Sequence, residues 1–209
     1  MKKLLFTLLS LLVLAMPTLA RADVSPVDFV RDNSKQVLDV LKKDDGHNTR
    51  KIRDQVEAIT LPKFDFKRMT ALAVGKNWRT ATPGQQDELA NQFQTLLVRV
   101  YASTMTRYKN AQIEVKPNAD MNSSGSEATV HTQVTLPNNN GQKPVAVDYT
   151  LYKTTQGWRV YNVSVEGASL VTAYRTQFDT EVRNTGVDGL IKLLKDKNAK
   201  LASAQGTGA

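Results

Sequence analysis

Glu127-Ala128-Thr129-Val130-His131-Thr132-Gln133-Val134-Thr135-Leu136 is the stretch that decides the fold. Ala128, Val130, Thr132, Val134 and Leu136 alternate with Glu127, Thr129, His131, Gln133 and Thr135. A period of two is that of a strand with one face buried. Asn138-Asn139-Asn140-Gly141 then signals a turn, and Val145, Val147, Tyr149 and Leu151 alternate on the way back. Gln156-Gly157 turns the chain again into Trp158 to Val165, where straight alternation puts Tyr161, Val163 and Val165 on one face. Upstream, Ile113 and Val115 begin a further strand after Ala111. The expectation is a four-stranded antiparallel meander.

Helical patterns flank this sheet on both sides. Immediately before it, Thr82 can cap, Pro83 takes the first helical position, and Asp87 and Glu88 come next, near the positive end of the helix dipole. Leu89, Phe93, Leu97, Val100, Tyr101, Thr104 and Tyr108 then recur on one side. The helix they predict has about 26 residues and a length of roughly 39 Å, long enough to back an entire sheet. Earlier, Pro26 opens a helix with Val27, Val30, Val37, Leu38 and Leu41, stopped by Gly46. Ile52, Val56 and Ile59 form another, up to Pro62, and a third covers Phe64 to Val74 with its stop at Gly75. After the sheet, Ser169 to Arg183 reads as helical, breaks at Gly186, and resumes from Val187 to about Lys197. Helices segregated from an antiparallel sheet make an α+β fold.

The ends of the chain are different in kind. Lys2 and Lys3, an apolar run from Leu4 to Met16, Pro17 and then Ala20-Arg21-Ala22 have the three-part layout of a secretory signal, with cleavage expected after Ala22. The run is about 13 residues, short of the roughly 20 that span a bilayer. Domain 23–198 then remains, with a small, polar tail, 199–209, expected to be disordered. The whole chain of 209 residues has 28 Lys and Arg against 20 Asp and Glu. Losing Lys2, Lys3 and Arg21 leaves 25 basic residues and a net charge of about +5, a weak case for a nucleic-acid partner in an exported protein. Cysteine is absent, which excludes disulfides, thiolate metal sites, a Cys nucleophile and a Cys-anchored lipoprotein.

A search for reactive groups returns little. There is no Gly-rich phosphate loop, no G-x-S-x-G and no H-E-x-x-H. The two histidines, His47 and His131, have no metal-ligand spacing. Asp148 lies between Val147 and Tyr149, and alternation puts it on the outer face with Thr150 and Tyr152. An alternative reading keeps Asp148 or His131 as the general base of a cone-fold isomerase or dehydratase. A third is a periplasmic interaction module with a filled core.

Two segments carry a resemblance. The first is Met69-Thr70-Ala71-Leu72-Ala73-Val74-Gly75-Lys76-Asn77-Trp78-Arg79-Thr80-Ala81-Thr82-Pro83-Gly84-Gln85-Gln86, continuing into the helix of Phe93. The second is Tyr161-Asn162-Val163-Ser164-Val165-Glu166-Gly167-Ala168-Ser169-Leu170-Val171, then Tyr174-Arg175-Thr176-Gln177-Phe178 and Gly186-Val187-Asp188-Gly189-Leu190. Both resemble the MlaC, or toluene-tolerance, family of periplasmic phospholipid-binding proteins, from about Pro26 to Leu194. The resemblance implies a monomeric carrier without enzymatic activity and without a cofactor other than its phospholipid cargo. It implies an apolar lipid cavity between the sheet and the helices. Its implied partners are an outer-membrane lipoprotein complex and the MCE-domain subunit of an inner-membrane ABC transporter, in the upkeep of outer-membrane lipid asymmetry. Resemblance and periodicity together assign the lining to Met69, Leu72, Ala73, Phe93, Leu97, Val100, Tyr101 and Met105 on helices. From the sheet and the segment C-terminal to it they add Val130, Val134, Val147, Tyr149, Val163, Val165, Leu170 and Tyr174. Lys76 or Arg79 is the basic residue expected near the mouth.

Overall fold

The computed structural model describes residues 24–137 and 143–206, without the side chains of 102–106 and 204–206. The export signal and the Asn138–Gly141 turn therefore lie outside the described residues.

Helix α1, Pro26–Leu41, starts where Ser25 Oγ accepts a hydrogen bond from the Asp28 amide at 3.0 Å, with Pro26 in the first turn. Its Val27 and Val30 pack onto Ala128, Val130, Leu151, Trp158, Val160 and Val163 of the sheet. Trp158 Nε1 donates to the Val24 carbonyl at 3.0 Å and ties down the start of the described chain. Helix α2, Thr49–Thr60, folds back on α1 through a small cluster of Leu41, Ile52 and Val56. A 3-10 turn, Leu61–Lys63, comes next. Phe64 then pairs as an isolated parallel bridge with Val160, and the Asp65 amide donates to the Val160 carbonyl at 2.8 Å. Asp65 caps α3 by accepting from the Arg68 amide, so this helix is Phe66–Val74 and Phe64 belongs to the sheet edge. Gly75, at φ 65°, ends it in the left-handed region that glycine enters at no steric cost.

Helix α4, Pro83–Met105, with a last 3-10 turn Thr106–Tyr108, matches the length read from the sequence. Its start is a reciprocal capping box: Gln85 Oε1 accepts from the Thr82 amide at 3.0 Å, and Thr82 Oγ1 from the Gln85 amide at 3.3 Å. Its packing differs from the expectation. Leu89, Phe93, Leu96 and Leu97 form a helical core with Met69, Ala73 and Val74 of α3 and with Phe178, Leu190 and Leu194. These last three lie on α5, Arg175–Gly206, whose helical geometry is interrupted at Gly186 (φ 75°, ψ −177°). It is α1, rather than α4, that covers the middle of the sheet.

The sheet is five-stranded and antiparallel in the order β1-β2-β3-β4-β5, one strand more than the meander read from the sequence. Its strands are β1 Gln112–Met121, β2 Glu127–Thr135, β3 Val145–Thr154, β4 Gly157–Val165 and β5 Ala168–Ser169. The added strand is only two residues long and sits where a helix start was expected. Glu166 (φ 49°) and Gly167 (φ 79°) fold a tight hairpin that returns Ser169 to Ser164, and α5 begins six residues later, at Arg175. Two bulges shift the register. In β1, pairing jumps from Val115–Thr132 to Ala119–Val130, and the edge absorbs Pro117, which has no amide to donate. In β4, Leu151 pairs with Val160 and Thr150 with Asn162, so Tyr161 is the extra residue. It therefore leaves the Val163 and Val165 face and packs edge-on to Tyr152, at 5.9 Å between ring centroids. Of the tail, 199–206 continues α5 through Gly206, with Leu201 packed on the helical core, and 207–209 lie outside the described residues.

Candidate functional site

Where the sheet runs beyond α1, its inner face is separated from α4 by a cleft of about 570 Å³. One wall is Val134, Val145, Val147, Tyr149, Val163, Val165 and Leu170. The facing wall is Met69, Leu97, Val98, Val100 and Tyr101 from α3 and α4, and α1 and α2 close a side with Val37, Leu38, Leu41 and Val56. Tyr108 and Val145 are the large apolar side chains of the lining left exposed. Burial pushes the phenols of Tyr149 and Tyr101 above the usual tyrosine range, so both stay neutral. A surface of this kind lowers the free energy of an apolar guest roughly in proportion to the area it covers.

The residues assigned from the sequence divide. Met69, Leu97, Val100, Tyr101, Val134, Val147, Tyr149, Val163, Val165 and Leu170 come together on the cleft. Met105 ends α4, and its side chain lies outside the described residues. Leu72, Ala73, Phe93, Val130 and Tyr174 are placed elsewhere. Phe93 is fully buried, edge-on to Tyr174 at 5.1 Å and to Phe178 at 5.2 Å, within the α3–α4–α5 core that also takes Ala73 and Leu72. Val130 is covered by α1. The periodicity gave each of these an apolar face correctly but could not say which layer that face meets. Among the lining residues not assigned from the sequence are Val37, Leu38, Leu41, Val56, Leu61, Phe64, Phe66 and Ile113. The apolar stripe of α1 was visible in the sequence and was the signal that could have found the first three.

Lys76 and Arg79 are not on the cleft lining. They lie on the 3-10 segment Gly75–Thr80, held against α5 where Asn77 Nδ2 donates to Asp179 Oδ1 at 3.1 Å. The cation on the cleft lining is Arg107, which is exposed. Arg175, from the second quoted segment, donates from Nε and Nη2 to the Leu72 carbonyl (3.1 and 2.7 Å) and so fastens α5 to the end of α3.

A second depression, of about 670 Å³, lies between the starts of α3 and α4 and the β3–β4 hairpin. Its lining is largely polar, and Lys67 and Asp87 already pair across it at 2.6 Å. It offers an apolar guest little.

His131 and Asp148 do meet, on the outer face of the sheet and away from the cleft. His131 Nδ1 lies 2.8 Å from Asp148 Oδ1 and Nε2 lies 2.9 Å from Asp120 Oδ2. Carboxylates occupy both ring nitrogens, so neither is free to take a proton from a substrate. Hydrogen bonds to Asp120 and then Asp148 raise the imidazole pKa above its ordinary 6.5. With a raised folded-state pKa, the clamp contributes fully below about pH 6.5 and is lost as pH rises through the folded value. All three groups are partly exposed, so the effect is small. We expect the melting temperature to fall slightly more between pH 6 and pH 9 in the parent than in His131→Ala. Guest binding should be unchanged in His131→Ala and Asp148→Asn. Loss of function in a stable variant that still binds its guest would restore a catalytic reading.

Comparison with known proteins adds independent findings. The family model described as MlaC protein matches residues 31–196. The toluene tolerance protein ttg2D of Pseudomonas putida is 30% identical over 185 residues, covering 86% of this chain and 83% of that protein. The intermembrane phospholipid transport system binding protein MlaC of Haemophilus influenzae is 22% identical over 197 residues, covering 89% of each. Among solved structures, the phospholipid-binding protein of Ralstonia solanacearum, in complex with a phospholipid, superposes with a TM-score of 0.74 at 34% identity. The match covers 87% of this chain and 99% of that one.

Proposed function

This chain belongs to the MlaC family, and on that premise we propose that it is a non-enzymatic phospholipid carrier whose cleft takes the acyl chains of its cargo. The observation that carries the reading is the cleft itself: an inward strand face of Val and Tyr side chains kept apart from α4 by a space that no described side chain fills. Two acyl chains hold about 30 methylenes, each worth roughly 0.8 kcal/mol on removal from water, so unassisted escape from a bilayer costs on the order of 20 kcal/mol. A carrier makes that exchange nearly neutral by offering a comparably apolar wall, and it needs no reactive group.

The site of action in this reading is the periplasm, reached through the Met1–Ala22 signal. No helix among the described residues is long and apolar enough to cross a membrane, which fits a carrier that moves between membranes. Cargo passes between an outer-membrane lipoprotein complex and the MCE-domain subunit of an inner-membrane ABC transporter, in support of outer-membrane lipid asymmetry. The family resemblance supports these partners.

Mass spectrometry of the exported protein, purified without detergent, tests the reading. It should contain diacyl phospholipid with several head groups, because the chains supply most of the binding free energy. Protein recovered without lipid, or with one head group to the exclusion of all others, would contradict it.

A further inference from the structure

Glu57 and Thr60 stand three residues apart on α2, so both side chains emerge on one face of that helix, and both line the cleft. They interrupt a wall otherwise built from Leu38, Leu41 and Val56. Thr60 Oγ1 is buried and has no hydrogen-bond partner. Among the described residues no hydrogen bond or ion pair is made to the Glu57 carboxylate. Burial beside the cleft, and then Asp54, push its pKa up against the opposing pull of Arg53 and Arg99. Arg99 is engaged elsewhere, donating to the Asn198 carbonyl. A carboxylate left unpaired beside an apolar surface is unfavourable, and so is a hydroxyl withdrawn from water without a partner. A guest that brings a cation relieves the first of these; Thr60 Oγ1 has no surface open to the cleft and stays out of its reach.

We propose that Glu57 marks the head-group subsite of the cleft and selects for phospholipids that carry an ammonium. Glu57 faces the ammonium of a zwitterionic head group. An anionic head group brings no cation to Glu57 and is disfavoured there. Arg107 does not discriminate, since zwitterionic and anionic lipids both carry a phosphodiester. The inference rests on the reading that the cleft holds phospholipid. The net positive charge of the chain works in the opposite direction, towards anionic lipid, so an ammonium preference has to arise locally.

The test incubates lipid-stripped protein with vesicles of equimolar phosphatidylethanolamine and phosphatidylglycerol, then compares the two lipids on the recovered protein by mass spectrometry. The parent should be enriched in phosphatidylethanolamine about threefold over the vesicle ratio, the scale of one partly exposed charge pair. Glu57→Gln should return the ratio to that of the vesicles, and Glu57→Lys should invert it, with total lipid per protein unchanged in both. A parent that mirrors the vesicles, or a Glu57→Gln protein that keeps the enrichment, overturns the subsite. If no protein takes up either lipid, the carrier reading itself fails and the subsite goes with it.

Discussion

Replacing Val147 with tryptophan is expected to cut bound phospholipid at least tenfold while leaving the lipid-free protein about as stable as its parent. Val147 is on β3 between Thr132 and Val165, part-exposed, with its side chain on the cleft wall. Displacing only two methylenes of cargo removes about 1.6 kcal/mol of binding, which is already more than a factor of ten. Leu97→Trp makes the contrast. Leu97 also lines the cleft, but it is 6% exposed and belongs to the packed α3–α4–α5 core. There the larger ring overpacks the helices and costs about 1–3 kcal/mol as well as reducing lipid. The paired measurement is the melting temperature of delipidated protein and lipid per protein after detergent-free purification. A Val147→Trp protein that melts far below its parent yet carries normal lipid would show that the wall there is ordinary core.

Phe93→Ala should destabilise the fold by about 3–5 kcal/mol, read as a fall in the denaturant midpoint. Its ring is fully buried and has two aromatic partners on the α5 side, Tyr174 and Phe178. The cavity left by the truncation would open inside a three-helix core with no solvent on any side. The fraction that remains folded should still carry lipid, because Phe93 does not line the cleft. A loss of less than about 1 kcal/mol would mean that α4 and α5 are held together by something other than this contact.

These two positions mark how far the sequence could be read. Val147 and Phe93 have the same one-dimensional signature: an apolar side chain in register with its neighbours on a strand or a helix. Period and capping residues reveal that a face is apolar, and they placed α4, β2, β3 and the break at Gly186 correctly. They do not encode what lies opposite. Phe93 met α5 because the Glu166–Gly167 hairpin and the Arg175 contact to Leu72 bring the C-terminal helix back over α3 and α4, a long-range event with no local trace. Tyr161 was misplaced for a different reason. One inserted residue reverses the parity of a strand, and nothing in Val160-Tyr161-Asn162 announces a bulge. Glu57 has no signature in the sequence, because a charged residue on a surface helix usually needs no explanation; only its neighbourhood makes it notable.

The α1–α2 corner has a dynamic consequence. Its own cluster is Leu41, Ile52 and Val56, against the far larger one that joins α3, α4 and α5, and yet it closes one side of the cleft. Segments that bury few apolar side chains open at a smaller free-energy cost than the global unfolding of the domain. By that ordering the amides of α2 trade their hydrogens for solvent deuterium before those of α4 do. On the carrier reading, that gives the acyl chains a way in that leaves the helical core untouched: the doorway would be the part of the wall with the least to lose by moving.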